Sequence, residues 1–139
     1  MRFFFYGTLI DPDVRRVVLG ANAARVAEIQ PGVLKGWERR AVRGASYPII
    51  LPRARGRVHG LLARGLDAQA ARRLQAYEGT AYERVTVEIA LDDGICRRAF
   101  VFAASHRGRL KPAMSAWEYP AWRARHKTGF MREIARFQR

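Results

Sequence analysis

Four aromatic residues in a row, Phe3-Phe4-Phe5-Tyr6, run directly into Gly7-Thr8-Leu9 and then Asp11-Pro12. Aromatic side chains favour strands. A glycine ends the run, as it does where a chain turns tightly or where backbone approaches a ligand closely. Asp11 suits a helix cap and Pro12 the first helical position. The local order is therefore strand, Gly-Thr-Leu turn, helix, with the helix running from Pro12 to Leu19 and stopped at Gly20. Spare backbone N–H groups in such a turn can hold an anionic or carbonyl oxygen. The commoner outcome for such residues is a plain strand-to-helix connection.

The rest of the chain alternates short extended segments with few helices. Ala24 to Gln30 reads as a strand, Pro31-Gly32 as a turn, and Val33 to Val42 as a strand or irregular ribbon. Tyr47 to Pro52 is apolar but bracketed by prolines, which suits an edge strand or extended loop. Arg57 to Leu62 is a further strand. Asp67 caps a helix from Ala68 to Tyr77, whose apolar residues Ala70, Ala71, Leu74 and Tyr77 recur at helical spacing before Gly79 closes it. In Tyr82 to Leu91, Val85, Val87, Ile89 and Leu91 alternate with polar residues, the pattern of a strand. Asp92-Asp93-Gly94 then turns the chain into a partner strand, Ile95 to Ala103. Beyond Pro120 the residues Trp122, His126, Phe130 and Ile134 fall at steps of four, an apolar helical stripe within the segment that ends at Arg139. Many short strands joined by turns predict an α+β fold with about six strands closing into a small barrel, flanked by two or three helices.

Length and composition narrow the class. A chain of 139 residues with 49% hydrophobic and 11% aromatic residues predicts one globular domain spanning 1–139 with a real core. No apolar run reaches membrane-spanning length. Arg2 ahead of three phenylalanines mimics a leader, but Gly7-Thr8 ends the apolar run too early. The simplest localisation is cytoplasmic. Cys96 is the only cysteine, which suits a reducing compartment and reads as a small core residue. His59, His106 and His126 are scattered without metal-ligand spacing, so neither a metal nor another cofactor is expected. The formal net charge of +14 raises nucleic acid as a partner. Yet 23 of the 26 basic residues are arginines, dispersed in pairs such as Arg39-Arg40 and Arg72-Arg73 rather than in a block. At most weak, non-specific binding to polyanions is expected.

Glu78 is the residue best placed for chemistry. It ends the Asp67 helix, where the helix dipole is negative, and sits between Tyr77 and Tyr82 beside a strand entering the core. Both settings disfavour ionisation and raise a carboxyl pKa, as a general acid/base requires. A surface glutamate in a polar turn is the other reading, and the residues alone leave the two open. Ser46 lacks the strand-turn-helix elbow of a nucleophilic serine, and His126 on its stripe reads as a packed or half-exposed histidine.

Taken in order, Tyr6-Gly7-Thr8-Leu9 ending the first strand, Tyr47-Pro48, Glu78-Gly79 closing a helix and Tyr82-Glu83-Arg84-Val85 opening the next strand resemble the gamma-glutamylcyclotransferase-like family, which includes gamma-glutamylamine cyclotransferases. The Trp117 to Trp122 region also resembles the tails of bacterial members. The resemblance covers most of the chain. It implies a small mixed barrel of six strands with flanking helices, an enzyme that releases 5-oxoproline from a small gamma-glutamyl substrate, and no cofactor. It places substrate at Tyr6, Gly7, Thr8 and Leu9, general acid/base catalysis at Glu78 and a pocket wall at Tyr82. The arginines of the middle segment, Arg53, Arg55 and Arg57, leave the leaving group open. The alternative is a non-catalytic module that binds a small carboxylate, or nucleic acid through its basic surface. An anion binder gains nothing from a buried carboxylate, and Tyr82 to Leu91 lacks the exposed aromatics of an RNA-binding strand face. Oligomeric state is not readable from these residues.

Overall fold

The structure, a computed structural model, describes residues 1–105, Gly108 and residues 110–138; His106 lies outside the described residues. Five strands form a closed barrel: β1 (Phe3–Phe5), β2 (Glu28–Ala41), β3 (Pro48–Arg64), β4 (Tyr82–Leu91) and β5 (Cys96–Ala104), in the spatial order β1-β3-β2-β4-β5. All pairings are antiparallel except β1 with β5, where Phe3 faces Phe100. The helices are α1 (Pro12–Leu19), α2 (Ala21–Val26), α3 (Ala68–Glu78), α4 (Tyr119–Arg125) and α5 (Lys127–Ile134). Among the described residues no helix is long and apolar enough to cross a membrane.

The aromatic run is explained by burial on both faces. β1 lies between β3 and β5, and successive side chains point to opposite sides. Phe4, with Tyr6 beyond the strand, fills the barrel interior with Leu34, Ile50, Val58, Leu62, Ile89 and Val101. Phe3 and Phe5 face outward onto a second core, formed with Val14, Val17 and Val18 of α1, Leu74 of α3, and Trp122, Phe130 and Ile134 of the C-terminal helices. A strand covered on both faces has no polar positions to alternate.

Several segments differ from the sequence reading. Ala24 to Gln30 is not one strand: Gly20, at φ 90°, ends α1 and restarts the chain as α2, and β2 begins only at Glu28. Pro31-Gly32 is not a turn but lies inside β2, where that strand crosses β4. Gly32 pairs with Leu91, and a Cβ there would sit 2.5 Å from the Ile89 side chain, so close approach is the reason for the glycine. The segments Tyr47 to Pro52 and Arg57 to Leu62 belong to one strand, β3. Residues 53–56 bulge out opposite Gly36 of β2, between the pairs Trp37–Pro52 and Lys35–Arg57. That bulge explains why one strand reads as two and why the barrel has five strands. The C-terminal stripe is interrupted, since His126 is the exposed junction of α4 and α5, while Trp122, Phe130 and Ile134 are buried. Cys96 is exposed rather than part of the core, because the first residues of β5 lie past the enclosed part of the barrel.

Candidate functional site

A cavity of about 270 Å³ opens where β1 ends, between the barrel and the helices. β1 delivers Tyr6 to it. The chain then turns through Gly7 into a 3-10 turn, Thr8–Ile10. This turn closes with the N–H of Ile10 on Gly7 O and the N–H of Asp11 on Thr8 O, both at 3.0 Å. The N–H groups of Gly7, Thr8 and Leu9 take no part in those bonds, as expected for the first turn of any helix, and all three residues line the cavity. Gly7 does not have a positive φ (φ −124°). Its need is space, because a Cβ would lie 2.9 Å from the Pro48 ring.

α3 brings Glu78 to the opposite wall. The Asp67 side chain caps that helix at the N–H of Ala70, 2.8 Å away, and Gly79, at φ 72°, ends it just past the glutamate. Glu78 is half-buried and lines the cavity. Burial pushes its carboxyl up to about 8. Desolvation, rather than the helix end or the neighbouring tyrosines, is the cause of this rise.

Tyrosines complete the walls, each tethered by its hydroxyl. Tyr6 donates to the carbonyl of Phe102 at 2.5 Å. Tyr82, from the start of β4, donates to the carbonyl of Pro48 at 2.9 Å. The Tyr77 hydroxyl is bonded to Thr8 Oγ1 at 2.5 Å, which joins α3 to the 3-10 turn. Burial first, and then neighbouring charges that include Glu78, push all three phenols above their ordinary range, so they remain protonated. Tyr47 packs on Tyr82 with ring centroids 6.3 Å apart.

Tyr6, Gly7, Thr8, Leu9, Glu78 and Tyr82, 76 positions apart at the extremes, therefore face one cavity. Sequence reasoning took Tyr77, Phe130 and Ile134 as helix-core residues, yet they also line it, together with Glu133 and Arg136. The helical period marked these positions as inward-facing, and nothing in it distinguishes a core from a cavity wall. Two arginines were missed altogether. Arg39 of β2 donates through Nη1 to the carbonyls of Tyr6 (2.9 Å) and His59 (3.0 Å) and through Nε to that of Trp117 (3.2 Å). Arg15 of α1 donates to the carbonyls of Leu9 (2.9 Å) and Ile10 (2.7 Å). Ser46, outside the cavity lining, offers its carbonyl to the Trp117 indole. Among the described residues no cluster of three or more His, Cys, Asp or Glu side chains could hold a metal.

A barrel of this topology, with a tyrosine-glycine turn and a half-buried glutamate on one cavity, defines a class. Residues 3–124 match the family described as gamma-glutamyl cyclotransferase, AIG2-like, and the chain belongs to that family. AIG2-like protein A of Arabidopsis thaliana is 36% identical over 129 residues, covering 92% of this chain and 75% of that protein. The solution structure of an Arabidopsis thaliana protein is 32% identical with a TM-score of 0.70, covering 96% of this chain and 87% of that one. A structure solved as gamma-glutamyl cyclotransferase shares the fold, with a TM-score of 0.66 at 10% identity over 96% of this chain and 85% of the other. α5 and the following 3-10 turn, Ala135–Gln138, lie beyond the matched residues although they form part of the cavity wall.

Proposed function

We propose that the chain is a gamma-glutamyl cyclotransferase that releases 5-oxoproline from a small gamma-glutamyl compound. The observation that carries this reading is the half-buried Glu78 side chain lining the same cavity as the Gly7–Leu9 turn. The substrate's α-amine attacks its own γ-carbonyl carbon. A carbon–nitrogen bond forms to close the five-membered lactam, and the carbon–nitrogen bond to the leaving amine breaks. Both reacting groups belong to one molecule, so holding it folded in the cavity can supply roughly 7–11 kcal/mol of the barrier. The α-amine arrives as an ammonium. An ordinary glutamate is far too weak a base for it, whereas a carboxyl raised to about 8 is much closer in basicity to an amine. Ionised Glu78 takes the ammonium proton and releases it to solvent, then takes the second proton from the ring nitrogen as the lactam forms and passes it to the departing nitrogen, a role worth about 10²–10⁴-fold. The N–H groups of Gly7 to Leu9 hold the substrate carboxylate or the developing oxyanion, and the tethered tyrosines shape the cavity. A carboxylate-binding module without catalysis is less well supported, since an anion binder gains nothing from a glutamate in its cavity. The test is 5-oxoproline release over a panel of gamma-glutamyl amino acids, peptides and amines. Wild type is expected to turn over at least one class, and Glu78→Gln to lose at least a hundredfold in kcat with an unchanged circular dichroism spectrum. Near-wild-type turnover by Glu78→Gln overturns the proposal.

A further inference from the structure

We propose that Arg39 is a positioning residue that aims and strengthens the Gly7 N–H as the donor to the developing oxyanion. The placement rests on the cyclotransferase reading of the same cavity; the geometry behind it does not. Arg39 is a half-buried cation that donates to backbone carbonyls of three separate segments: Tyr6 at the end of β1, His59 in β3 and Trp117 ahead of α4. Its guanidinium also stacks over the Trp117 ring, 5.5 Å from the centroid, and that indole is tied to Ser46 O at 2.8 Å. So the fork is held from several sides, and only a guanidinium offers donors in such a fixed spread.

The peptide between Tyr6 and Gly7 is planar and trans. Its C=O and N–H therefore point in opposite directions. Fixing the Tyr6 carbonyl on Arg39 fixes the Gly7 N–H as well, on the residue that lines the cavity and whose N–H the turn leaves unused. A charged donor on the carbonyl also polarises the peptide, and hydrogen bonds in series strengthen one another. The other end of the turn is held differently. Arg15 grips the Leu9 and Ile10 carbonyls, so it braces the turn without touching the Gly7 peptide. Comparing the two arginines separates aiming the donor from merely stabilising the loop.

The experiment compares wild type, Arg39→Met and Arg15→Met by amide NMR and by steady-state 5-oxoproline release. In Arg39→Met the Gly7 amide proton is expected to move upfield more than any other amide of the turn, and kcat to fall more than tenfold with KM changed less than threefold. In Arg15→Met the Gly7 amide is expected to stay within the shifts of its neighbours and kcat to fall less than threefold. If Arg39→Met does not fold, Arg39→Lys keeps the charge and loses the fork, and the same signature at smaller amplitude is expected. An unmoved Gly7 amide, or a raised KM with kcat retained, overturns the role of Arg39 and leaves the reaction standing. If wild type releases no 5-oxoproline from any conjugate, the cyclotransferase reading falls, and with it the oxyanion role. The amide shifts then decide whether Arg39 aims the Gly7 N–H.

Discussion

A carboxyl kept protonated by burial links folding to pH at the level of a single residue. Glu78 titrates near 8 in the folded chain and near 4.3 when unfolded. Between those values the native state holds a proton that the unfolded state has lost, so stability falls as pH rises. The contribution is complete below about 4.3 and is lost as pH passes through about 8. Glu78→Gln keeps the shape without the titration. Its stability relative to wild type is expected to grow by about 2 kcal/mol or more between pH 5 and pH 9, read from urea midpoints at the two pH values. An equal gap at both would mean that the carboxyl is solvated. At this scale the sequence exposed the glutamate, because an acid at a helix C-terminus between tyrosines breaks local preference. Arg39 and Arg15 were hidden for a different reason. A side chain bonded to backbone carbonyls leaves no trace in the residue types it meets, and Arg39 lies 33 positions from Tyr6.

Elements show the same contrast between local and long-range information. α1, α3 and the β4–β5 hairpin were legible because caps, turn residues and periodicity are local signals. β3 was not, since its break is a bulge defined by pairing with β2, where Arg55 takes a φ of 134°. α2 was not, because an Ala-rich turn with no buried residue carries no hydrophobic pattern. The most consequential tie between elements is Asp11. Its fully buried carboxylate caps α1 through the N–H groups of Asp13 and Val14. It also accepts from the Tyr119 hydroxyl at 2.8 Å and pairs with Lys127 at 3.0 Å. Burial pushes the Asp11 carboxyl up, but those hydrogen bonds outweigh it and hold it below its ordinary value. One side chain thus joins the 3-10 turn, the start of α1 and the C-terminal helices. Asp11→Ala is expected to cost about 3 kcal/mol, combining a lost cap with an ion pair broken on its buried side. Asp13→Ala, which removes only the partly exposed partner of Lys127, is expected to cost less than 1 kcal/mol. Equal losses in urea denaturation would show that the clip is not centred on Asp11.

For the molecule as a whole the open question is what a charge of +14 does. Part of it is committed internally. Arg15, Arg39, Arg40 and Arg73 donate to backbone carbonyls, and Arg53 and Arg64 pair with Glu38 and Glu28. A nucleic-acid surface also needs aromatic rings on which bases stack. The exposed large hydrophobic residues among those described are Met1, Val26, Ile95 and Met114, none of them aromatic. Trp117, Trp122 and Phe130 are buried in the helix-side core, and Tyr6 and Tyr82 are turned into the cavity. Among the described residues no aromatic ring is fully exposed beside this charge, and a surface of charge alone binds through counterion release. We therefore expect weak association with single- or double-stranded oligonucleotides, without sequence preference. Fluorescence anisotropy should show it falling by orders of magnitude between about 50 and 200 mM salt. A tight complex at physiological salt with one preferred sequence would make nucleic acid the primary partner of this barrel and its cavity secondary.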